Sequence, residues 1–488
     1  MMVMIHDRHV KMTPAACYEA LRARDARFDG VFYTAVKTTG IYCRPVCPAR
    51  TPKSESCLFL ETAAAAEAAG YRACFRCRPE LAPGKPGTTL ADAVLRRIQE
   101  TAVDGTRLSD LEDSLGLGSR QVRRLLNDAF GINAVQAVQT QRLLLARQLL
   151  EQTSQPISEV ALAAGFRSLR RFNALFRERQ GCDPTAWRRA NGAAVDAGEI
   201  HLRLSYRPPL AWAALMDYFR SRLVPGVEEI VGEEYRRTLQ LGGAVGWMRV
   251  YPDRKGAFLH VAVSLSLSLV LGAVQTRVRR MFDLDAQPTV IAEVLASDPL
   301  LAPVMAKFPG LRVGGAWDVF ELAVRAILGQ QITVAAATTL SGRLTALLGK
   351  PTVTPFPNLH HLATTPEALA SATVDDLCRL GLVSARAGAL IQLAQWSLDG
   401  GLNFAPGTDH ESAVARLVER PGLGPWTAHY IAMRALRYPD AFPAADLGLR
   451  KAVGAGELAS TKNTQLRAEA WKPWRAYAAI GLWKSLAP

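Results

Sequence analysis

Four cysteines constrain this chain more than any other feature. Cys43 and Cys47 have three residues between them, Cys74 and Cys77 have two, and 26 residues separate the pairs. Two close pairs joined by a loop can place four thiolates on one tetrahedral zinc ion. Eight cysteines in 488 residues are too sparse for a disulfide scaffold. The spacing alone leaves open whether such a metal is purely structural or takes part in chemistry. Cys17, Cys57, Cys182 and Cys378 have no close cysteine partner in the sequence and read as small buried apolar residues.

The length implies about three or four domains. Lysine and arginine number 58 against 44 aspartates and glutamates, a net charge of +14 that favours anionic partners, nucleic acid first. Pro83-Gly84-Lys85-Pro86-Gly87 is a turn-rich linker, and Asn191-Gly192-Ala193-Ala194 reads as a second. Between them runs an arginine-rich region of helical periodicity. From about Glu199 to Asp285 strand-like and helical runs mix, and the remainder reads as almost wholly helical, with Pro/Gly-rich turns at 350–358 and 405–408. The apolar stretch Ala257 to Val274 is not a lipid-facing helix. Val263 to Leu269 alternates strictly, the period of a half-buried strand, so a strand running into a helix is expected there. The N-terminus is charged throughout and lacks an apolar core of signal-peptide length, so the chain is expected to be cytoplasmic, with no membrane partner.

The cysteines sit in FDGVFYTAVKTTGIYCRPVCPAR (28–50) and AAGYRACFRCRPE (68–80). Over about residues 14–80 this closely resembles the N-terminal domain of the Ada family of methyl-phosphotriester repair proteins. The resemblance implies that Cys43 accepts a methyl group from damaged DNA, with Cys47, Cys74 and Cys77 as the other zinc ligands. The chemistry is coherent: a zinc-bound sulfur is a thiolate outright, and four of them on one zinc ion carry a formal charge of −2, which keeps each sulfur nucleophilic. Attack on the methyl carbon of a neutral phosphotriester makes a thioether and restores the diester. Arg50, Arg72, Arg76 and Arg78 flank the cysteines and can hold neighbouring phosphates, or can be solvated surface charges.

In the middle region Ile157 to Phe166 reads as a helix reaching a tight turn at Gly165, with small Ala161 where two helices cross. The next helix carries Arg167, Arg170, Arg171 and Asn173 on one side and Leu169, Phe172 and Phe176 on the other. An earlier copy spans Leu108 to Phe130, with Arg120, Gln121, Arg123 and Arg124 on its second helix. A long helix at about 134–151 joins them. The two copies resemble the AraC-type DNA-binding domain, which implies two helices entering successive major-groove faces.

Near the C-terminus, Leu417 to Ala428 reads as a helix, a Gly-punctuated hairpin and a second helix, whose backbone N–H groups at Gly422, Gly424 and Thr427 suit a phosphate. This resembles the helix-hairpin-helix DNA glycosylase superfamily. Asp446 lies twenty residues after Trp426, in a segment like the superfamily's catalytic-aspartate segment. Trp471-Lys472-Pro473-Trp474-Arg475-Ala476-Tyr477, Trp483 and Ala326-Ile327-Leu328-Gly329-Gln330-Gln331 resemble AlkA-type 3-methyladenine DNA glycosylases over about 199–488. The resemblance implies that Asp446, ionised, stabilises an oxocarbenium-like sugar and orients water, rather than Asp440 or Glu457. Trp426, Tyr430 and Trp483 then form an electron-rich pocket for a flipped alkylated base. Trp426 stands where bifunctional relatives have lysine, so no Schiff base is expected. No cysteine follows Cys378, so the iron–sulfur cluster of some relatives is expected to be absent. Lys484 follows Trp483 where an aromatic is expected, and Gln331 stands where an apolar wedge would fill the gap left by the base.

The expected fold class is multidomain and mostly α with α/β parts. Residues 1–85 would form a small zinc domain, 88–192 a double helix-turn-helix domain, 198–288 a sheet-containing domain and 289–488 a helix-hairpin-helix glycosylase domain. The implied cofactor is one zinc ion on four cysteines, with room for a monovalent cation at the hairpin. The implied partners are double-stranded DNA, as promoter and as alkylated lesion, and RNA polymerase. The implied activities are excision of N-alkylated purines, stoichiometric methyl transfer and methylation-switched transcription activation. No Pro-Cys-His-Arg motif occurs, so alkylguanine transfer is expected to be absent. The rival is a transcription regulator with structural zinc and a non-catalytic C-terminal domain.

Overall fold

The computed structural model describes residues 12–84, 89–102, 117–191, 199–404, 408, 410–454 and 457–486. The N-terminal segment builds a four-stranded sheet from β1 (Tyr33–Val36), β2 (Ile41–Cys43), β3 (Cys57–Leu60) and β4 (Arg72–Ala73), in the order β3-β1-β2-β4. β1 is antiparallel to β2 and β3, while β2 runs parallel to β4, pairing Ile41 with Arg72 and Tyr42 with Ala73. The next residues along both strands are Cys43 and Cys74, so this parallel register sets one cysteine of each pair side by side. The short helix Ala63–Ala68 closes the sheet with alanines, small enough to sit directly on Tyr33, Ala35 and Tyr42.

The arginine-rich region is helical. Leu90–Thr101 starts at a reciprocal Thr89/Asp92 cap, and the nineteen-residue linking helix Ala134–Gln152 starts at a reciprocal Asn133/Gln136 cap. Ser119–Phe130 precedes the linking helix; Ile157–Ala163, Leu169–Gln180 and Pro184–Asn191 follow it. Gly165, at φ +86°, makes the expected turn, a left-handed conformation that a side chain resists. The first helix of the expected earlier copy falls mostly outside the described residues, as do most of the Pro83–Gly87 linker and residues 192–194.

Strands β5 (Glu199–Ser205), β6 (Glu228–Val231), β7 (Glu234–Leu241), β8 (Ala244–Pro252) and β9 (Phe258–Ser264) form an antiparallel sheet in the order β5-β9-β8-β7-β6. The expected strand through Leu269 ends five residues early. Ser264 Oγ accepts from Trp247 N–H at 3.2 Å, and Ser266 Oγ donates to Val245 O at 2.7 Å. These side-chain bonds turn the backbone into a 3₁₀ segment, Leu265–Val270, before the helix Leu271–Met281. Leu267 is buried while Leu265 and Leu269 are exposed, so the three leucines do not share one face as they would in a strand. Leu149, Phe172, Phe176 and Trp187 share one core with Ile200, Val261 and Trp317, so the second helix pair and the sheet pack as one body.

The rest is helical around a core that includes Ile327, Leu390, Leu417, Ile431 and Trp471. The helices that matter for chemistry are Val319–Leu328, Ser384–Leu398, His410–Val418, Pro425–Arg434, Leu447–Val453 and Arg475–Ser485. Among the described residues no helix is long and apolar enough to cross a membrane.

Candidate functional site

Cys43, Cys47, Cys74 and Cys77 come together, with their sulfur atoms all within 4.8 Å of one another. Four sulfurs on a tetrahedron with zinc–sulfur bonds of about 2.3 Å stand about 3.8 Å apart, so the cluster fits that ion. Cys47, Cys74 and Cys77 are buried, while Cys43 is half-buried. The Arg44 N–H donates to Cys77 Sγ at 3.3 Å, and the Arg44 side chain is tied to Asp29 and to Cys77 O. Such donors stabilise thiolate charge without coordinating it.

The flanking arginines divide. Arg50 and Arg76 are exposed, Arg72 lies over the Phe75 ring at 4.9 Å, and Arg78 is drawn inward onto Glu80 and Glu151. In the middle region Arg120, Arg123 and Arg124 lie exposed along Ser119–Phe130. Arg170 and Arg171 lie exposed in the first turn of Leu169–Gln180, and Arg167, expected on that helix, lies exposed in the turn just before its cap Ser168. On both helices the opposite face is core: Val122, Leu126 and Phe130 in one, Phe172 and Phe176 in the other.

The second site centres on Asp446, which caps the helix Leu447–Val453 and accepts Leu449 N–H on Oδ1 at 3.0 Å. Two indoles hold the same carboxylate. Trp426 Nε1–H donates to Oδ2 at 2.9 Å and Trp483 Nε1–H donates to Oδ1 at 2.8 Å. With three donors, and no bonded cation among the described residues, the half-buried carboxylate is fixed in orientation. Trp426 stacks on Tyr430, with ring centres 5.2 Å apart and planes inclined by 14°.

Beneath the stack lies a cluster absent from the sequence-based expectations. The buried Arg434 guanidinium sits 5.1 Å from the Tyr430 ring centre, 3.9 Å from that of Tyr218 and 5.7 Å from that of Trp483. Tyr218 and Tyr430 meet through their hydroxyls at 3.4 Å, and Arg222 covers the Tyr218 ring at 4.5 Å. Burial alone would push the Tyr430 hydroxyl up; Arg434 and Arg222 outweigh it and bring it down to about 8, while Tyr218 is pushed up. Arg434 follows Tyr430 by one helical turn, a spacing that sequence can offer. Tyr218 is 212 residues away from Tyr430, and nothing local signals it. Lys484 lies over the Phe308 ring at 5.6 Å, with its ammonium paired to Asp217 at 3.2 Å.

The hairpin runs from His410–Val418 to Pro425–Arg434 through Gly422, at φ +80°. A Cβ on Gly422 would lie 2.7 Å from that of Ala389, so both conformation and space demand glycine. Gly424 begins the second helix without a side-chain cap. Gln330 braces the turn, donating to Gly422 O at 2.6 Å and to Thr427 Oγ1 at 3.1 Å, and Arg386 donates to Gln330 O at 2.7 Å. Gln331 is exposed beside it, at φ +58°.

Four family models match the chain in order. They are the metal-binding domain of Ada over residues 16–80, a helix-turn-helix domain over 111–190, the AlkA N-terminal domain over 201–318 and the HhH-GPD base-excision DNA repair superfamily over 324–476. The chain is 41% identical over 486 residues to a Mycobacterium tuberculosis protein, the probable bifunctional transcriptional activator/DNA repair enzyme AlkA, covering 96% of each. It is 34% identical over 282 residues to DNA-3-methyladenine glycosylase 2 of Escherichia coli, covering 57% of this chain and 95% of the relative. Among solved structures, a 3-methyladenine DNA glycosylase from Archaeoglobus fulgidus shares the fold at TM-score 0.51 and 24% identity, over 58% of this chain and 99% of that one. The four cysteines are thus the ligands of one zinc ion. With identity at this level along nearly its whole length, the chain belongs to the family of bifunctional transcriptional activator/DNA repair enzymes named AlkA, joining an Ada metal-binding domain and a helix-turn-helix regulator to a DNA glycosylase.

Proposed function

We propose that the chain excises N-alkylated purines from duplex DNA by simple hydrolysis, with Asp446 as the catalytic carboxylate. The observation that carries this reading is the clamp on Asp446, a carboxylate held by two indole N–H groups and a backbone N–H across from the braced hairpin. The carboxylate is positioned to stabilise positive charge developing on the deoxyribose as the glycosidic bond breaks, and to accept a proton from the water that adds to the sugar carbon. Trp426 stands in the hairpin where a Schiff-base reaction would need an amine, so the product is an intact abasic strand. In the test, Asp446→Asn lowers release of 3-methyladenine about a hundredfold or more with DNA affinity retained, and borohydride traps no protein–DNA adduct. Excision at the wild-type rate would favour a regulator with a non-catalytic C-terminal domain.

The same chain removes methyl groups from methyl phosphotriesters through Cys43. Bound zinc keeps the four sulfurs ionised at neutral pH. The Cys43 sulfur forms a bond to the methyl carbon, the methyl–oxygen bond breaks, and the diester leaves as an anion. The site's formal charge falls from −2 to −1, which weakens its repulsion of the DNA backbone and lets the helices bearing Arg120–Arg124 and Arg167–Arg171 dwell on promoter DNA, where RNA polymerase is recruited. Mass spectrometry of Cys43 after exposure to methylated DNA tests the transfer. Promoter affinity before and after, at fixed salt, tests the switch; a shift of roughly 5–150-fold is expected. We place the domain divisions at 1–85, 88–192, 198–288 and 289–488.

A further inference from the structure

A cleft of about 390 Å³ opens where the zinc domain meets the five-stranded sheet. Its walls carry four arginines, Arg44, Arg76 and Arg78 from the zinc domain and Arg203 from β5, against one lining carboxylate, Asp29. Two of the four are neutralised locally. Arg44 is paired with Asp29, and Arg78 with Glu80 and Glu151. Arg78 holds this position at φ +53°, a left-handed backbone unusual for a side-chain-bearing residue. Arg76 and Arg203 are both exposed, and among the described residues neither has a carboxylate partner. The Arg203 guanidinium lies over the Phe258 ring at 5.4 Å. Burial, and after it the nearby Arg78 charge, pull the Arg203 guanidinium below its usual value, against Glu151 and Asp253, which raise it.

With Arg44 and Arg78 answered by carboxylates, the cleft keeps two cations without an ion-pair partner among the described residues, Arg76 and Arg203, one from each domain. We infer that it is a phosphate seat, and that the sheet domain completes it through Arg203. A tetrahedral oxyanion fits because guanidinium forks bind phosphate oxygens two at a time. The seat adjoins the metal centre, since Cys77 lines the same cleft. A DNA strand presented to Cys43 would therefore place another of its backbone phosphates on a surface that the isolated zinc domain lacks. This assignment of the source rests on the zinc domain engaging DNA; the seat itself does not. Phosphate can come from a DNA backbone or from free phosphate in solution, and the two arms of the test separate them.

The zinc-loaded full-length protein is used as wild type, Arg203→Ala, Arg203→Lys and, as a charge control away from the cleft, Lys350→Ala. In the first arm, inorganic phosphate is titrated against thermal stability at constant ionic strength. Wild type should show a saturable stabilisation that Arg203→Lys weakens, because an ammonium lacks the fork, and that Arg203→Ala loses. In the second arm, affinity for unmodified duplex DNA is measured over a range of salt. One lost phosphate contact should reduce the slope of log affinity against log salt by about 0.9 in Arg203→Ala. Arg203→Lys and Lys350→Ala should keep the wild-type slope. A changed slope assigns the seat to DNA, while saturable phosphate binding with an unchanged slope assigns it to free phosphate. The inference is overturned if Arg203→Ala, with zinc content and melting midpoint intact, matches wild type in both arms. Because neither arm reads methyl transfer or base release, failure here is distinct from failure of the proposed activities.

Discussion

The indole N–H of Trp483 donates to Oδ1 of Asp446 at 2.8 Å, across 37 residues of chain. The bond aims the carboxylate, a task separate from the base contact proposed for this aromatic side chain. A hydrogen bond to a charged group contributes about 1.5–3 kcal/mol. Trp483→Phe keeps the ring face and removes the donor. It is expected to lower single-turnover base release about ten- to hundredfold, with little change in DNA affinity. Equal rates for the two proteins would mean that Asp446 needs no aiming from Trp483.

Tyr430 predicts a pH dependence. Its hydroxyl is brought down to about 8 by Arg434 and Arg222, against about 10 for free tyrosine. A depressed acid contributes stability that is complete above its unfolded value and is lost as pH falls through its folded value. Wild type should therefore gain thermal stability over Tyr430→Phe between about pH 8 and 10. Phenolate absorbance should titrate in the same window. Melting curves of the two proteins that stay parallel across this range would contradict the assignment.

The two hairpin glycines should respond differently. Gly422→Ala meets a left-handed backbone and a Cβ contact of 2.7 Å with Ala389; backbone strain alone costs about 1–2 kcal/mol. Gly424 lies at φ −70°, and an added Cβ meets nothing within 4 Å. Gly424→Ala should therefore melt like wild type and Gly422→Ala lower, as read by calorimetry. Comparable losses in both would show that the hairpin is not held by the contacts described.

Arg147 of the linking helix pairs with Glu80 of the zinc domain at 3.2 Å, with both side chains fully buried, and lies 4.7 Å from the Trp187 ring centre. Glu80 also pairs with Arg78, so removing Arg147 leaves the buried carboxylate with one cation instead of two, at a cost of up to about 3–5 kcal/mol. Arg147→Met should lower the melting midpoint clearly. Adding Glu80→Gln should recover part of the loss, because the carboxylate short of one cation is gone while Arg78 keeps Glu151. A double variant no better than the single one would place the effect in packing against Trp187 rather than in the ion pair.

By itself the sequence determined the features whose logic is local. Two cysteine pairs at short spacing, a glycine-punctuated turn and arginines opposite an apolar helix face each follow from neighbours a few residues apart, and the described residues bring all four cysteine sulfurs together. Local pattern misled at Leu265–Val270. There the alternation matched a strand, but serine side chains bonded to the neighbouring strand bent the chain into a 3₁₀ turn. Tertiary structure alone decided the surroundings of the sites. Tyr218 meets Tyr430 from a different domain, two indoles from separate helices converge on Asp446, and Arg203 faces Arg76 and Arg78 across a domain boundary. Such contacts join residues far apart in the chain, and no periodicity encodes them. They exist because packing the separate cores together sets those surfaces opposite one another.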